Sequence, residues 1–295
     1  MIRLVRPLLF PLALASALPA AAPAQAETYH TCKGFIETLP ATISTPGTWC
    51  LQQDLSTAMT LGAAITIAAN NVTVDCNGFK VGGLAAGAGT ETSGIFASDR
   101  TNVAVRNCNV RGFMDGINLG GFSVAAGGYR VEDNLLDGNT RRGIYVRGYG
   151  SSVRRNSVSD TGGNTFNNAP YGISVQHDVD VIDNTIANVS ATAGSNAGAW
   201  GIFTHSNTGG AIGRNHVRNV LADGSGTARG IDNYLSKRIS VYGNRIGNPN
   251  TAGTALTCAN TIATASVASD NHLQGYAQGM QGCFDGGHNV ALVAP

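Results

Sequence analysis

Val131-Glu-Asp-Asn134-Leu-Leu136, Val153-Arg-Arg-Asn156-Ser-Val158, Val181-Ile-Asp-Asn184-Thr-Ile186, Ile212-Gly-Arg-Asn215-His-Val217 and Val241-Tyr-Gly-Asn244-Arg-Ile246 repeat one short pattern. Each has an apolar residue, two variable residues, Asn, one variable residue and a second apolar residue. A weaker copy spans Ala268 to Leu273. A Gly-Ile dipeptide recurs alongside it, beginning at Gly94, Gly116, Gly143, Gly172, Gly201 and Gly230, with spacings of 22, 27, 29, 29 and 29 residues.

The apolar alternations in each unit are too short for amphipathic helices and suit short strands. One such coil cannot bury its own apolar face, but coils stacked ~4.8 Å apart share a continuous core. Stacking repeats the same side chain at the same height, so an Asn at a corner can bond the Asn above and below it. Asn also tolerates the left-handed backbone of a turn. The Gly before each Ile is expected at another corner, where a positive φ costs it little. An ankyrin or tetratricopeptide array needs a helical period, and a propeller needs units of ~40 residues or more. The expected fold is all-β, a right-handed parallel β-helix of about eight coils with N- and C-terminal caps.

Arg3 and Arg6 precede an apolar run from Pro7 to Leu18, and Ala24-Gln25-Ala26 offers a cleavage site, so residues 1–26 are expected to be a signal peptide. The run is shorter than the ~20 residues that span a bilayer. The chain is expected to be secreted or periplasmic. The opening strands and N-terminal cap are placed at 27–58, the β-helix at 59–275 and the C-terminal cap at 276–295.

The full chain carries a formal charge of +1; without Arg3 and Arg6 it has 17 basic and 18 acidic residues, or −1. A near-neutral chain lacks the positive field that nucleic acid or an anionic membrane attracts, and neither partner is expected. The six cysteines contain no C-x-x-C pair, which argues against zinc or thioredoxin-like chemistry. In an exported chain they are expected to pair as neighbours: Cys32 with Cys50, Cys76 with Cys108 and Cys258 with Cys283. Gly/Ala/Asn/Ser/Thr-rich insertions at 83–92, 162–169, 191–199 and 221–228 interrupt the coils. Three of these fall just before successive Gly-Ile pairs and are expected to stack along one side, walling a groove.

Ile65-Thr-Ile-Ala-Ala-Asn-Asn-Val-Thr-Val-Asp-Cys-Asn-Gly78, followed by Gly94-Ile-Phe-Ala-Ser-Asp-Arg-Thr-Asn-Val-Ala-Val-Arg-Asn107, resembles the parallel β-helix repeat proteins. These are the pectin-lyase-like and NosD-like carbohydrate-binding proteins and sugar hydrolases. The resemblance covers roughly Thr60 to Leu273 and implies the fold and a polysaccharide partner. The sharper motifs of pectate lyases and polygalacturonases are absent. The Asp-Pro-His-Asp of alginate epimerases has only an echo in Gln176-His177-Asp178.

Aligning the Gly-Ile pairs turns the sequence into columns. Ile and the residue two places later (Ala97, Leu119, Val146, Val175, Thr204, Asn233) should point inward. The outward columns gather Tyr145, Tyr171, Trp200, Phe203 and Tyr234 with Arg142, Arg147, Gln176, His205, Arg229 and Asp232 on one face. Exposed aromatic rings cover the C–H patches of sugars, polar groups bond their hydroxyls, and Arg forks grip carboxylates. The substrate-binding candidates are Arg142, Tyr145, Tyr171, Gln176, Trp200 and Phe203. The catalytic candidates are Arg147, His205, Arg229, Asp232 and Tyr234. A lyase would neutralise a uronate carboxylate with Arg147 or Arg229 and move protons through His205 and Tyr234. A hydrolase needs two carboxylates ~5–9 Å apart, and Asp178 with Asp232 is the only pair near the groove. The expected function is binding of an acidic extracellular polysaccharide, with cleavage by β-elimination; the alternative is a non-catalytic binding or structural solenoid.

Elsewhere, Asp133, Arg155, Asp183 and Arg214 alternate in sign one coil apart, and Glu132 with Arg154 repeats the idea. His216 and His272 occupy matching outward positions and are taken as surface. No cofactor is expected. Asp178 and Asp180 could contribute to a calcium site but supply too few of the six or more oxygens it takes.

Overall fold

The computed structural model describes residues 31–121, 123, 125–258 and 265–293. The expected signal peptide lies outside them. Short strands follow one another in parallel, each pairing with its equivalent one coil earlier and one coil later. The result is a right-handed parallel β-helix of about nine turns, one more than the repeat count indicates. Pairing already runs through the opening segment, where Ala41–Ile43 lies on Ala63–Ile67. It continues to Val290–Leu292, which lies on His272–Gln274.

Three apolar columns fill the interior. Ile65, Ile95, Ile117, Ile144, Ile173, Ile202 and Ile231 stack in register and are fully buried. Val105, Val131, Val153, Val181, Ile212 and Val241 form the second column, and Val110, Leu136, Val158, Ile186, Val217 and Ile246 the third. Each such side chain contributes about 1.5–3 kcal/mol on leaving water. The predicted inward column is buried from Ala97 to Asn233. Its two polar members are satisfied: Thr204 Oγ1 donates to Asn233 Oδ1 at 2.6 Å, and Asn233 Nδ2 donates to Ser266 Oγ at 2.7 Å.

The Asn ladder runs from Asn134 through Asn156, Asn184, Asn215, Asn244 and Asn271 to Asn289. Each Nδ2 donates to the next Oδ1 at 2.9–3.0 Å. Each backbone N–H also donates to that same oxygen, and each Nδ2 reaches back to a carbonyl of the coil before, as Asn184 does to Val153 O at 2.9 Å. The ladder ends on the Cys76–Cys108 disulfide, where Cys108 N–H donates to Asn134 Oδ1.

Two expectations about the corners change. The left-handed residue is the one before the ladder Asn: Asp133, Arg155, Asp183, Arg214, Gly243 and Asp270 have φ of 52–63°, as does Asn107 before Cys108 at the ladder's end. This frees the Asn to point inward as a hydrogen-bonding hub. The Gly of the Gly-Ile pairs is not selected for positive φ; it is selected for space. A Cβ on Gly172 would lie 2.5 Å from Ile186 Cγ2 and 2.7 Å from the Gly201 carbonyl, and Gly143, Gly201 and Gly230 meet equivalent atoms.

The Asp133–Arg155 and Asp183–Arg214 pairs form as expected, each at 2.7 Å. Glu132 does not pair with Arg154: it meets Arg155 at 3.1 Å, while Arg154 turns to Asp180 at 3.0 Å. The three disulfides are Cys32–Cys50, Cys76–Cys108 and Cys258–Cys283. Such bonds persist in oxidising compartments outside the cytosol. Among the described residues no helix is long and apolar enough to cross a membrane.

The insertions stack as expected. Asn164 Nδ2 donates to Thr90 O, Thr192 Oγ1 to Asn164 O, and the Asn196 and Ser225 amides to Asp223 and Asn196 side chains. The loops therefore form a shelf beside the start of the Gly-Ile strands.

Candidate functional site

The Gly-Ile strands 115–119, 142–147, 171–176, 199–205 and 228–234 place three outward columns side by side. Asp115, Arg142, Tyr171, Trp200 and Arg229 form the column nearest the shelf. Asn118, Tyr145, Ser174, Phe203 and Asp232 form the middle one. Arg147, Gln176, His205 and Tyr234 form the third. All eleven predicted site residues thus share one face.

The aromatic residues are less exposed than expected, because they pack on one another. Tyr171 stacks on Trp200 with ring centroids 4.9 Å apart, and Phe203 lies 5.3 Å from Tyr171 and 6.2 Å from Tyr234. Tyr234, at 48% exposure, is the open end of this strip. The His205 ring lies 5.6 Å from Tyr234, and its Nδ1 pairs with Ser206 Oγ at 2.9 Å. Burial pushes the Tyr171 hydroxyl above its ordinary pKa.

Two charges are already matched. Arg142 forks onto Asp115 with two 2.6 Å bonds, and its guanidinium lies 4.2 Å over the Tyr145 ring. Asp115 is buried and was missed in the sequence, although it precedes Gly116 as Arg142 precedes Gly143. Asp232 is also buried, at 1% exposure, beneath Trp200 and Arg229; both donate to its Oδ2 at 3.0 Å. Burial raises its pKa, against the opposing pull of Arg229 and the Trp200 N–H. Asp232 is therefore a positioning residue for these two groups, since a ligand on the face cannot reach it. Asp178 does not join it. That residue lines a hollow with Arg130, Arg154 and Asp180 on another sheet, where Asp180 is held by Arg154 and the Ala211 N–H. The two carboxylates a hydrolase needs are not brought together.

Three cations carry the remaining positive charge. Arg229 is half-buried, with one nitrogen on Asp232. Arg147 Nε donates to His177 Nε2 at 3.1 Å, and the His177 ring stacks on Tyr149. Burial, then Arg147 and His205, hold His177 below its ordinary pKa. Arg141 was not anticipated: it lies beside Tyr171 and Tyr145, and its Nε is buried without a hydrogen-bond partner. Burial and the neighbouring Arg142 lower its pKa. The signal was the Arg141-Arg142 dipeptide, of which the single Asp115 neutralises one member. Among the described residues no cluster of three or more His, Cys, Asp or Glu could hold a metal.

No protein-family model and no curated protein matches the chain. Among solved structures it is similar to the A-module of the Azotobacter vinelandii mannuronan C-5 epimerase AlgE4, with 10% identity, TM-score 0.38, and 84% of this chain and 78% of that chain covered. It is also similar to the periplasmic alginate epimerase AlgG, with 11% identity, TM-score 0.40, and 84% and 68% covered. The Azotobacter vinelandii AlgE6 A-module gives 14% identity, TM-score 0.36, and 88% and 80% covered. Likeness at this level carries no inference about chemistry.

Proposed function

We propose that the chain is exported and that its Gly-Ile face binds an acidic polysaccharide lying along the solenoid axis, which it cleaves by β-elimination. One observation carries this: Tyr171, Trp200, Phe203 and Tyr234 form a continuous ring strip across three coils, bordered by Arg141, Arg147 and Arg229. Rings cover the apolar faces of sugars, and guanidinium forks suit their carboxylates. The elimination has a simple balance. A base takes the proton on the carbon beside the carboxylate, its electron pair forms the new carbon–carbon double bond, and the glycosidic C–O bond breaks. The leaving oxygen then takes a proton from an acid. His205 and Tyr234 adjoin each other and supply the base and the acid. Arg229, aimed by Asp232, and Arg141 meet the substrate carboxylate.

The second reading is a binding face without chemistry. The internal neutralisation of Arg142 by Asp115 and of Asp232 by Arg229 favours it, because these groups are committed to one another.

The test is purified protein with acidic and neutral polysaccharides. New ultraviolet absorbance from unsaturated sugars is the expected result. Gel retardation with neither absorbance nor new reducing ends supports the binding reading, and no response to any acidic polymer removes both. Arg147→Ala, His205→Ala and Asp232→Asn should each depress activity in a folded protein; full activity in all three sinks the site.

A further inference from the structure

Most arginine ion pairs of this solenoid run between neighbouring coils. An arginine at one level finds a carboxylate at an adjacent level, as in Asp75–Arg106, Arg111–Asp137, Asp115–Arg142 and Asp183–Arg214. Arg218 and Arg245 stand outside this pattern, on the strands that follow the Asn ladder. His216, Arg245 and His272 stack in direct register on three successive coils. The adjacent column reads Arg218, Gly247, Gln274. No ion pair among the described residues includes Arg218 or Arg245. Arg245 therefore has no carboxylate opposite it in register, and a protonated His216 would stand directly opposite it as a like charge, an arrangement that destabilises a sheet and that a bound anion would relieve.

The shape agrees with the charge. His216, Arg245, Ile246, His272 and Gln274 line a depression in the surface. All its polar lining residues are exposed side chains able to donate hydrogen bonds.

The geometry points to a second binding site, for the carboxylate or sulfate groups of an anionic ligand, centred on Arg245 and flanked by His216 and His272. It lies on the strands that directly follow the Asn ladder, apart from the Gly-Ile strands that carry the aromatic strip, and does not rest on the function proposed for that strip. Anions bind it more tightly at acid pH, because protonation turns the His216 ring into a double donor. The groups facing His216 are Thr185 on the preceding coil, Arg245 on the next and Arg218 on its own strand, with the Asp183–Arg214 pair at the corner before it. Facing His272 are Arg245, Val290 and its own strand's Gln274, with Asp270 and His288 paired at the corner. Burial first, then Arg218 and Arg245, hold the free His216 ring below its ordinary pKa. A bound anion offsets the two arginines, so binding takes up protons.

The test follows the ring signals of the two histidines by NMR in the whole protein, assigned with His216→Gln and His272→Gln. Inorganic sulfate, polygalacturonate and neutral dextran are titrated separately. Sulfate or polygalacturonate should shift both signals while dextran leaves them in place, with affinity rising as the buffer goes from about pH 8 to about pH 6. Response to sulfate alone identifies a free-anion site; a response to polygalacturonate at lower charge concentration identifies a site for polymer. Either supports the proposal. Arg245→Gln should weaken binding about tenfold, the loss of one charge-assisted contact, and Arg245→Lys should restore part of it. The aromatic strip is untouched by these changes, so polymer retention there is read independently. No shift with either anion, shifts unaltered in Arg245→Gln, or affinity flat with pH overturns the proposal.

Discussion

Replacing Asn184 by alanine tests the physical basis of the fold. Asn184 is 1% exposed and sits midway along the ladder. Its Oδ1 accepts the Asn156 N–H at 2.9 Å and the Asn156 Nδ2 at 3.0 Å. Its Nδ2 donates to Val153 O, Ile182 O and Asn215 Oδ1 at 2.9–3.1 Å. Alanine orphans the Asn156 N–H, which costs about 1–3 kcal/mol when buried, and removes donors at about 1 kcal/mol each. The expected loss is about 4–6 kcal/mol. For a chain of this size that lowers Tm by roughly 8–24 °C. Asn289→Ala is the control: it closes the ladder at a half-buried site where water can take over the lost bonds, and should cost about 1 kcal/mol. Thermal and urea unfolding followed by far-ultraviolet circular dichroism measures both. An Asn184→Ala loss below about 1 kcal/mol, or one equal to that of Asn289→Ala, refutes the claim that the amides hold the coils together.

Three further outcomes are expected. Gly172→Ala drives a Cβ into Ile186 and the Gly201 carbonyl and should cost about 1–3 kcal/mol. Gly194→Ala meets no atom within 4 Å and should cost only the left-handed backbone, about 1 kcal/mol; equal costs would exclude close approach as the reason for the Gly-Ile pairs. Asp232 has a pKa raised by burial, so its contribution to stability is fully present below the unfolded value of about 3.9 and fades as pH rises through the raised one. Asp232→Asn, which cannot ionise, should therefore gain on the parent between about pH 3 and pH 7 in parallel melts, and a constant difference would contradict this. Arg141→Gln should weaken retention on polygalacturonate gels about tenfold and leave binding to its carboxyl-reduced form unchanged, whereas equal loss on both would show that Arg141 acts through packing.

The fold was legible because its forces recur at a fixed period. Stacked Asn amides and stacked Ile side chains each leave a mark in every coil, and Cys76–Cys108 joins residues about one coil apart. The corner chemistry was less legible. An Asn in a turn motif suggests a left-handed residue, yet that conformation falls on Asp133 or Arg155, whose side chains face water and pair along the edge. The columns of the candidate site were legible, but their electrostatics were not. Asp115 belongs to the short coil between Gly94 and Gly116, and nothing in its local sequence shows that Arg142 will cover it. Asp232 was expected outside because its column points outward, but Trp200 and Arg229 are long enough to fold over it and exclude water. Side-chain reach across coils, unlike strand register, leaves no period in the sequence.

Compensation of charge separates the two faces more sharply than residue type does. On the Gly-Ile face, Asp115 neutralises Arg142 and Asp232 holds one nitrogen of Arg229, with the Tyr145 and Trp200 rings packed against the pairs. A ligand there meets ring surface first and cations only at the margin, through Arg141, Arg147 and Arg229. Burying a carboxylate under Trp200 raises its desolvation cost, and that cost is met only while Arg229 stays in place. The pair therefore fixes Arg229 in one orientation, as a carboxylate-recognising group must be fixed. On the strands after the ladder, Arg218 and Arg245 are exposed and have no carboxylate partner among the described residues, so their charge projects into solvent and fades over about 8–10 Å at physiological salt. An anionic chain should then meet the second face by attraction and the first by contact. Raising the salt concentration ought to abolish binding at Arg245 well before it loosens binding at Trp200.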